Sequence, residues 1–326
     1  MISLRTVLTE SLLDDESTIA GEMDMAIKEQ VIIDWLKKYK IRKYQLSEDG
    51  IITPFMDVTL DFRYVVDSLP DYITFGETAY EFYVNTSPNC RLRTLRGLPP
   101  KAPVLCICGT TVENLDELSG GEYKELTIID APNLNNVDDA PVTKSFRLRN
   151  CPSLHNIKKI NRNIERFVST ECPIQDINFI SDCKHLLNIK VTHSDITNID
   201  ALKSDNLDNA DFSDNPGLTS IKCRVKYCTG FNCDRTGITT LEGGPIKCCS
   251  FSCVGCKKLK SLDGLPSGVE SLACRGCAVP FPLDVKTASR HSATSEYDDR
   301  IHAARKVDRR ETFDNLKNSI KQKLHI

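Results

Sequence analysis

Apolar and polar positions along the chain recur at a step of about 21 residues. The unit is clearest as Val269-x-x-Leu272-x-Cys274-x-x-Cys277-x-Val279 and as Leu186-x-x-Ile189-x-Val191-x-x-Ser194-x-Ile196-x-x-Ile199. A third copy reads Leu207-x-x-Ala210-x-Phe212-x-x-Asn215-x-x-Leu218-x-x-Ile221. With the central strand residue as anchor, the series runs Thr86, Ile107, Ile128, Leu148, Val168, Val191, Phe212, Cys233, Cys253, Cys274. Alternation around the anchor, as in Phe146-x-Leu148 and Phe251-x-Cys253, predicts a short strand with one buried face.

Three residues past the anchor stands a small, mostly polar residue: Asn89, Thr110, Cys151, Ser194, Asn215, Thr236, Cys256 and Cys277. Such side chains can turn inward and hydrogen-bond backbone groups that are costly to leave unsatisfied when buried. Ala131 breaks this column, and the fifth unit has Glu171 in it with Cys172 one place late. Two further aliphatic positions follow, and several units close in turns such as Arg96-Gly97-Leu98-Pro99 and Asp263-Gly264-Leu265-Pro266. A single such coil buries too few side chains to offset the entropy of ordering its backbone, so each must stack on its neighbours. The predicted fold is an α/β repeat solenoid of about ten units, with parallel short strands and helical caps.

The order, spacing and Asn/Cys column resemble the leucine-rich repeat family, whose core is L-x-x-L-x-L-x-x-N/C-x-L, over roughly residues 80–282. Ile238-Thr239-Thr240-Leu241-Glu242-Gly243-Gly244-Pro245 and Leu259-Lys260-Ser261-Leu262-Asp263-Gly264-Leu265-Pro266 are similar to unit endings in leucine-rich-repeat proteins of large tailed bacteriophages. Units three to six depart from that ending. The resemblance implies a phage-encoded, non-enzymatic scaffold that binds a host or phage protein.

The organisation follows from the repeat's limits. Residues 1–26 form an acidic leader, 27–79 an N-terminal cap, 80–285 the solenoid, and 286–326 a linker and C-terminal helix. Ile27, Val31, Trp35, Leu36 and Tyr39 fall on one helical face suited to covering an open coil. The C-terminal segment carries an amphipathic pattern through Ile301, Ala304, Phe313, Leu316, Ile320 and Leu324.

Composition narrows the function. The formal net charge of the 326 residues is −3, which gives no field favouring nucleic acid. No apolar run approaches the ~18 residues of a membrane helix, and Met1–Leu13 lacks the continuous apolar core of a secretory signal. The expected location is the host cytoplasm or, in the alternative below, the virion interior. Neither a phosphate loop, a G-x-S-x-G elbow nor an H-E-x-x-H pair is present, so no enzyme activity and no cofactor are expected. Bacterial ubiquitin-ligase effectors also carry leucine-rich repeats, but follow them with a large catalytic domain; here only about forty residues remain after the repeats.

The 15 cysteines are an odd number without a secretory signal, which argues against a disulfide framework. Cys253-x-x-Cys256 and Cys274-x-x-Cys277 have the paired spacing of a zinc ribbon, so a zinc-stabilised repeat is an alternative. The repeat accounts for all four residues without metal, since anchor and column lie three apart.

Strand alternation turns the neighbours of each anchor onto the concave sheet face. The expected binding residues are Ile129, Arg147, Arg149, Phe167, Lys190, Thr192, Asp211, Asp234 and Arg275, with Ser213 and Asn232 beside them. Exposed Phe167 and Ile129 next to Arg147 and Arg149 form the expected hot spot for a protein partner. At the extreme N-terminus, Leu8-Thr9-Glu10 is similar to the prohead-protease site in leaders of phage internal head proteins. That resemblance implies the alternative function of a capsid-packaged virion protein with a cleaved leader.

Overall fold

The computed structural model describes residues 25–62, 68–86 and 91–279. They fall into two compact units: the chain up to Leu154 with Lys159–Ile164, and His155–Lys158 with the chain from Glu165 onward. The N-terminal leader with Leu8, Thr9 and Glu10 and the C-terminal segment lie outside the described residues.

The first unit opens with helix α1 (Met25–Lys38), followed by β1 (Tyr44–Leu46), β2 (Ile51–Pro54), β3 (Val58–Phe62), β4 (Thr74–Phe75), β5 (Phe82–Thr86), β6 (Lys101–Cys108), β7 (Glu122–Ile129) and β8 (Val142–Arg149). Helix α1 buries Ile32, Trp35 and Leu36, while Ile27 is 44 % exposed. Trp35 packs on Phe75 at 6.3 Å between ring centroids, and Tyr39 meets Phe62 edge-on at 5.3 Å. Lys40 adopts positive φ just past the helix and lets the Ile41 N–H donate to the Leu36 carbonyl, which terminates the helix in a Schellman turn. β1 and β2 pair antiparallel, and β2 and β4 parallel, in a small sheet. The other strands form a parallel ladder in the order β3, β5, β6, β7, β8. The ladder therefore starts at Val58, earlier than the repeat pattern shows.

The second unit is a parallel ladder of β9 (Arg166–Thr170), β10 (Asn188–Thr192), β11 (Lys203–Asp211), β12 (Arg224–Asn232), β13 (Lys247–Ser252) and β14 (Ser271–Ala273). Each unit is thus a solenoid of parallel strands with one strand per coil. Apart from α1, the helical content among the described residues is two three-residue 3-10 turns, Asp116–Leu118 and Asn178–Ile180. Turns rather than helices return the chain to the next strand, so the structure bears out the repeat solenoid but not the α/β class. No described helix is long and apolar enough to cross a membrane.

Strand pairing corrects the anchor series at two places. In the first unit Val84, not Thr86, lies opposite Ile107, and Val84 is fully buried. Thr86 instead donates its hydroxyl to the Cys108 and Gly109 carbonyls at 3.0 and 3.1 Å. In the second unit Ser169, not Val168, lies opposite Val191. Phe167 is fully buried and meets Phe179 edge-on at 4.9 Å, so it is a core residue and not part of an exposed face. With Ser169 as anchor, Cys172 falls three places on, and the apparent late column residue is in register.

The cause of the slip is a volume rule in the second unit. Each coil sends two side chains inward, at the anchor and two places before it. The pairs are Phe167 with Ser169, Ile189 with Val191, Ala210 with Phe212, Phe231 with Cys233, and Phe251 with Cys253, all buried. Where one member is Phe the other is small, because a close-packed interior has room for one large ring per layer. Phe231 and Phe251 stack at 5.5 Å with planes 5° apart, which leaves thiol-sized space beside them.

Two substitutions test this register. Phe167→Ala is expected to lower the unfolding free energy by about 3–5 kcal/mol through a core cavity, whereas an exposed Phe would cost almost nothing. Ser169 Oγ is buried without a hydrogen-bond partner, so Ser169→Ala is expected to stabilise by about 1 kcal/mol, both changes being read from urea titrations.

Candidate binding face

The backbone at the end of each strand decides which side chains reach the open face. Two residues past every anchor from Ile107 on, the chain turns with positive φ: at Gly109, Asp130 and Asn150 in the first unit, and at Glu171, His193, Asp214, Arg235, Gly255 and Gly276 in the second. The N–H of this turning residue donates to the carbonyl one place past the next anchor, as from Asp130 to Arg149 at 3.0 Å and from Arg235 to Val254 at 2.7 Å. The side chain three past the anchor then turns inward. Asn215 Nδ2 donates to the Val191, Phe212 and Ser213 carbonyls at 2.8, 2.9 and 3.1 Å, while its Oδ1 accepts from the Ser194 N–H at 3.1 Å. Thr110, Ser194 and Thr236 donate to backbone carbonyls in the same way.

Cysteines take this place in further coils, while the β7 coil has buried Ala131 there, which has no donor to offer. Cys256 Sγ lies 3.1 Å from the Cys233 carbonyl, and Cys277 Sγ 2.9 Å from that of Cys253. The Cys253 and Cys277 sulfurs are 4.0 Å apart, and Cys274 is buried in the anchor position. All described cysteines are free thiols, and no group of three or more His, Cys, Asp or Glu among the described residues is placed to hold a metal ion. Burial pushes the Cys233 thiol well above its ordinary value and the Cys223 thiol up to about 11.

On the first unit's open face two rows cross the ladder: Tyr83, Cys106, buried Thr127 and Arg147 in one, and Asn85, Cys108, Ile129 and Arg149 in the other. Arg147 is half-exposed and sits 3.6 Å from the Glu125 carboxylate, Ile129 is half-buried, and Arg149 is exposed. Asp130 accepts from Asn150 Nδ2 at 2.6 Å, and Arg91 Nη1 donates to the Asp130 carbonyl at 2.8 Å. Burial pushes the Cys106 thiol up to about 11, and the bond to Glu81 pushes the Tyr83 hydroxyl up to about 12, so both stay neutral at physiological pH. The strand ends thus present arginine beside an aliphatic side chain and uncharged thiols.

The second unit's open face is a web of paired charges. Lys190 Nζ meets Asp211 Oδ2 at 3.0 Å, and Asp211 Oδ1 accepts from the Ser213 hydroxyl at 2.7 Å. Arg235 grips Asp214 through two nitrogens at 2.5 and 2.7 Å, with His193 Nε2 3.7 Å away. Asp234 accepts from the Ser252 hydroxyl and the Val254 N–H, yet burial raises its carboxyl. The Arg235 guanidinium holds Asp214 below the usual carboxylate range. Arg275 is exposed and Asn232 half-buried, but Thr192 and Ser213 are buried and do not belong to an accessible face. Thr192 Oγ1 is engaged with Thr170 Oγ1 at 3.3 Å. Asp214 and Arg235 were missed by reasoning from strand alternation alone. Their signal is the offset they share with Gly109, Gly255 and Gly276, a position that tolerates Gly, Asn and Asp best.

No protein-family model matches the chain, and no curated protein is detectably similar to it.

Asn215→Ala strips one donor group from three buried carbonyls and is expected to cost about 2–4 kcal/mol in equilibrium unfolding, with Asn215→Ser recovering part of it. The Asp214 pair gives a pH signature. Because the folded-state pKa is depressed, its contribution is present above the unfolded carboxylate value and lost as pH falls through the folded one. Arg235 is more than half exposed, so Asp214→Asn is expected to cost only about 0.5–1 kcal/mol at pH 7. The difference from the native chain should start to shrink as pH falls to about 4 and vanish only below the depressed folded-state value, in unfolding curves taken across the range.

Proposed function

We propose that the chain is a non-enzymatic scaffold that binds a protein partner through the open face of its first unit, centred on Arg147 and Arg149. The observation carrying this reading is that alternate positions of β8, on either side of buried Leu148, present half-exposed Arg147 and exposed Arg149 on one face beside half-buried Ile129. Arginine with an apolar neighbour is the composition that dominates binding energy at protein interfaces, and its planar fork recognises carboxylates. We take the partner's matching surface to be acidic. The second unit's face supports a lesser role, because Asp211 and Asp214 engage Lys190 and Arg235 at 3.0 Å or closer, whereas Arg147 meets Glu125 only at 3.6 Å.

The inward-bonded column of Thr, Ser, Asn and Cys supports assigning the chain to the leucine-rich repeats, and the unit endings support an origin in large tailed bacteriophages. On that reading the partner is a host or phage protein met in the host cytoplasm.

Affinity capture from bacterial host lysate with quantitative mass spectrometry tests the assignment. A specific partner should be retained by the native chain and by Lys190→Glu, and depleted about 30-fold or more by Arg147→Glu with Arg149→Glu, the loss of about 2 kcal/mol at a hot spot. Unchanged thermal unfolding of the double variant shows that the loss is local. Equal capture by native and double-variant proteins would overturn the arginine face.

A further inference from the structure

We propose that a groove in the second unit, where β11 extends past the start of β10, is a docking site for an extended acidic peptide segment of a partner protein, which adds as a strand to the β10-side edge at residues 203–205. The Asn206 carbonyl is already met by the Ser204 hydroxyl at 2.8 Å. This site is separate from the arginine face and does not depend on it.

The groove arises from an unequal pair of strands. β11 begins at Lys203 and pairs with β12 from that residue on, Lys203 opposite Arg224 and Ser204 opposite Val225. On its other side β11 meets β10 only from Asn209, opposite Asn188. The residues of β10's coil that would continue the ladder are wound into turns instead. The Cys183 N–H donates to the Ile180 carbonyl and the Lys184 N–H to that of Asp182, with Cys183 buried to hold the turn in place. The chain rejoins the ladder where the Asp208 N–H donates to the Leu187 carbonyl at 2.8 Å. Between Ser181–Leu187, Lys203–Asn206 and Glu165 this leaves a groove of about 650 Å³, within the range of small-ligand and peptide sites.

Three features specify the occupant. One wall is a strand edge, and a strand edge offers main-chain groups that an extended peptide satisfies. Leu187 on the opposite wall is 40 % exposed and gives an alternate peptide side chain an apolar seat. Three carboxylates and two ammonium groups line the groove: Asp205 is held by Lys226 at 2.9 Å and Glu165 and Asp182 each have an interaction of their own, whereas Lys184 and Lys203 form no ion pair with any described residue. Two uncommitted ammonium groups on facing walls favour a peptide carrying carboxylates. Charged residues on an edge also discourage sheet-to-sheet aggregation. The wall formed by Ser181–Leu187 fits with that, since it admits one strand and excludes a second sheet.

Fluorescence polarisation with labelled hexapeptides alternating Glu with Val, Leu, Thr or Tyr tests the proposal on the full chain. At least one should bind saturably, tighter than about 1 mM. N-methylation of every second peptide nitrogen, on the edge that faces β11, should weaken it at least tenfold. The matching Lys peptides should fail, and Lys184→Glu with Lys203→Glu should abolish binding of the Glu peptides while leaving the unfolding transition in place. Hydrogen exchange should show new protection confined to residues 203–207. The proposal is overturned if no Glu peptide binds, if N-methylated peptides bind equally well, or if binding survives Lys184→Glu with Lys203→Glu but is lost with Arg147→Glu and Arg149→Glu. That last result would move the peptide to the arginine face. Dimerisation in sedimentation that is lost in the lysine double variant would give the groove to a second copy of the chain and likewise reject it.

Discussion

The rest of the structure depends on how the backbone leaves each strand. Two residues past the anchor the chain takes positive φ, and this one turn ends the strand and aims the next side chain into the interior. The turn pulls neighbouring carbonyls out of regular sheet pairing, and a buried carbonyl without a donor is costly. A small side chain with a hydrogen to give is therefore favoured at a fixed offset, Ala131 being small but without one. Asn215 meets three carbonyls at once, Thr236 meets one, and Cys256 and Cys277 reach back to the previous coil. Thr, Ser, Asn and Cys are interchangeable at this column because each satisfies the same need within the same small volume.

A second constraint governs what else can sit inside. In the second unit the two inward positions of each coil share a limited volume, so Phe231 and Phe251 are matched by Cys233 and Cys253, and Phe212 by Ala210. The abundance of cysteine is explained by these two demands together. At anchors it is a small apolar filler, and in the column it is a weak donor to a carbonyl. Neither role needs oxidation or metal.

The open faces follow from the same geometry, since whatever the turn does not bury it presents. In the first unit this leaves Arg147 and Arg149 beside Ile129, and in the second a web in which Asp211 and Asp214 are met by Lys190 and Arg235. The groove beside β11 has another origin. A coil that winds its approach into turns leaves the following strand's edge exposed.

The sequence by itself determined the repeat, the parallel strands, the inward column and most of the register, because a periodic demand for buried apolar groups and buried donors is written position by position. It also held the clue to its own exception, since Cys172 one place late already signalled that Ser169 and not Val168 is the anchor. Only the tertiary structure decided that Phe167 is core, because whether Phe167 or Val168 faces inward depends on the volume that Ile189 and Phe179 leave free. The absence of helical returns among the described residues, the exposure of each arginine and the β11 edge left unpaired by β10 were likewise settled in three dimensions. Apolar periodicity specifies which positions are buried, but not the path the backbone takes between them. That path is chosen by contacts between coils about 21 residues apart, which no window within one coil contains.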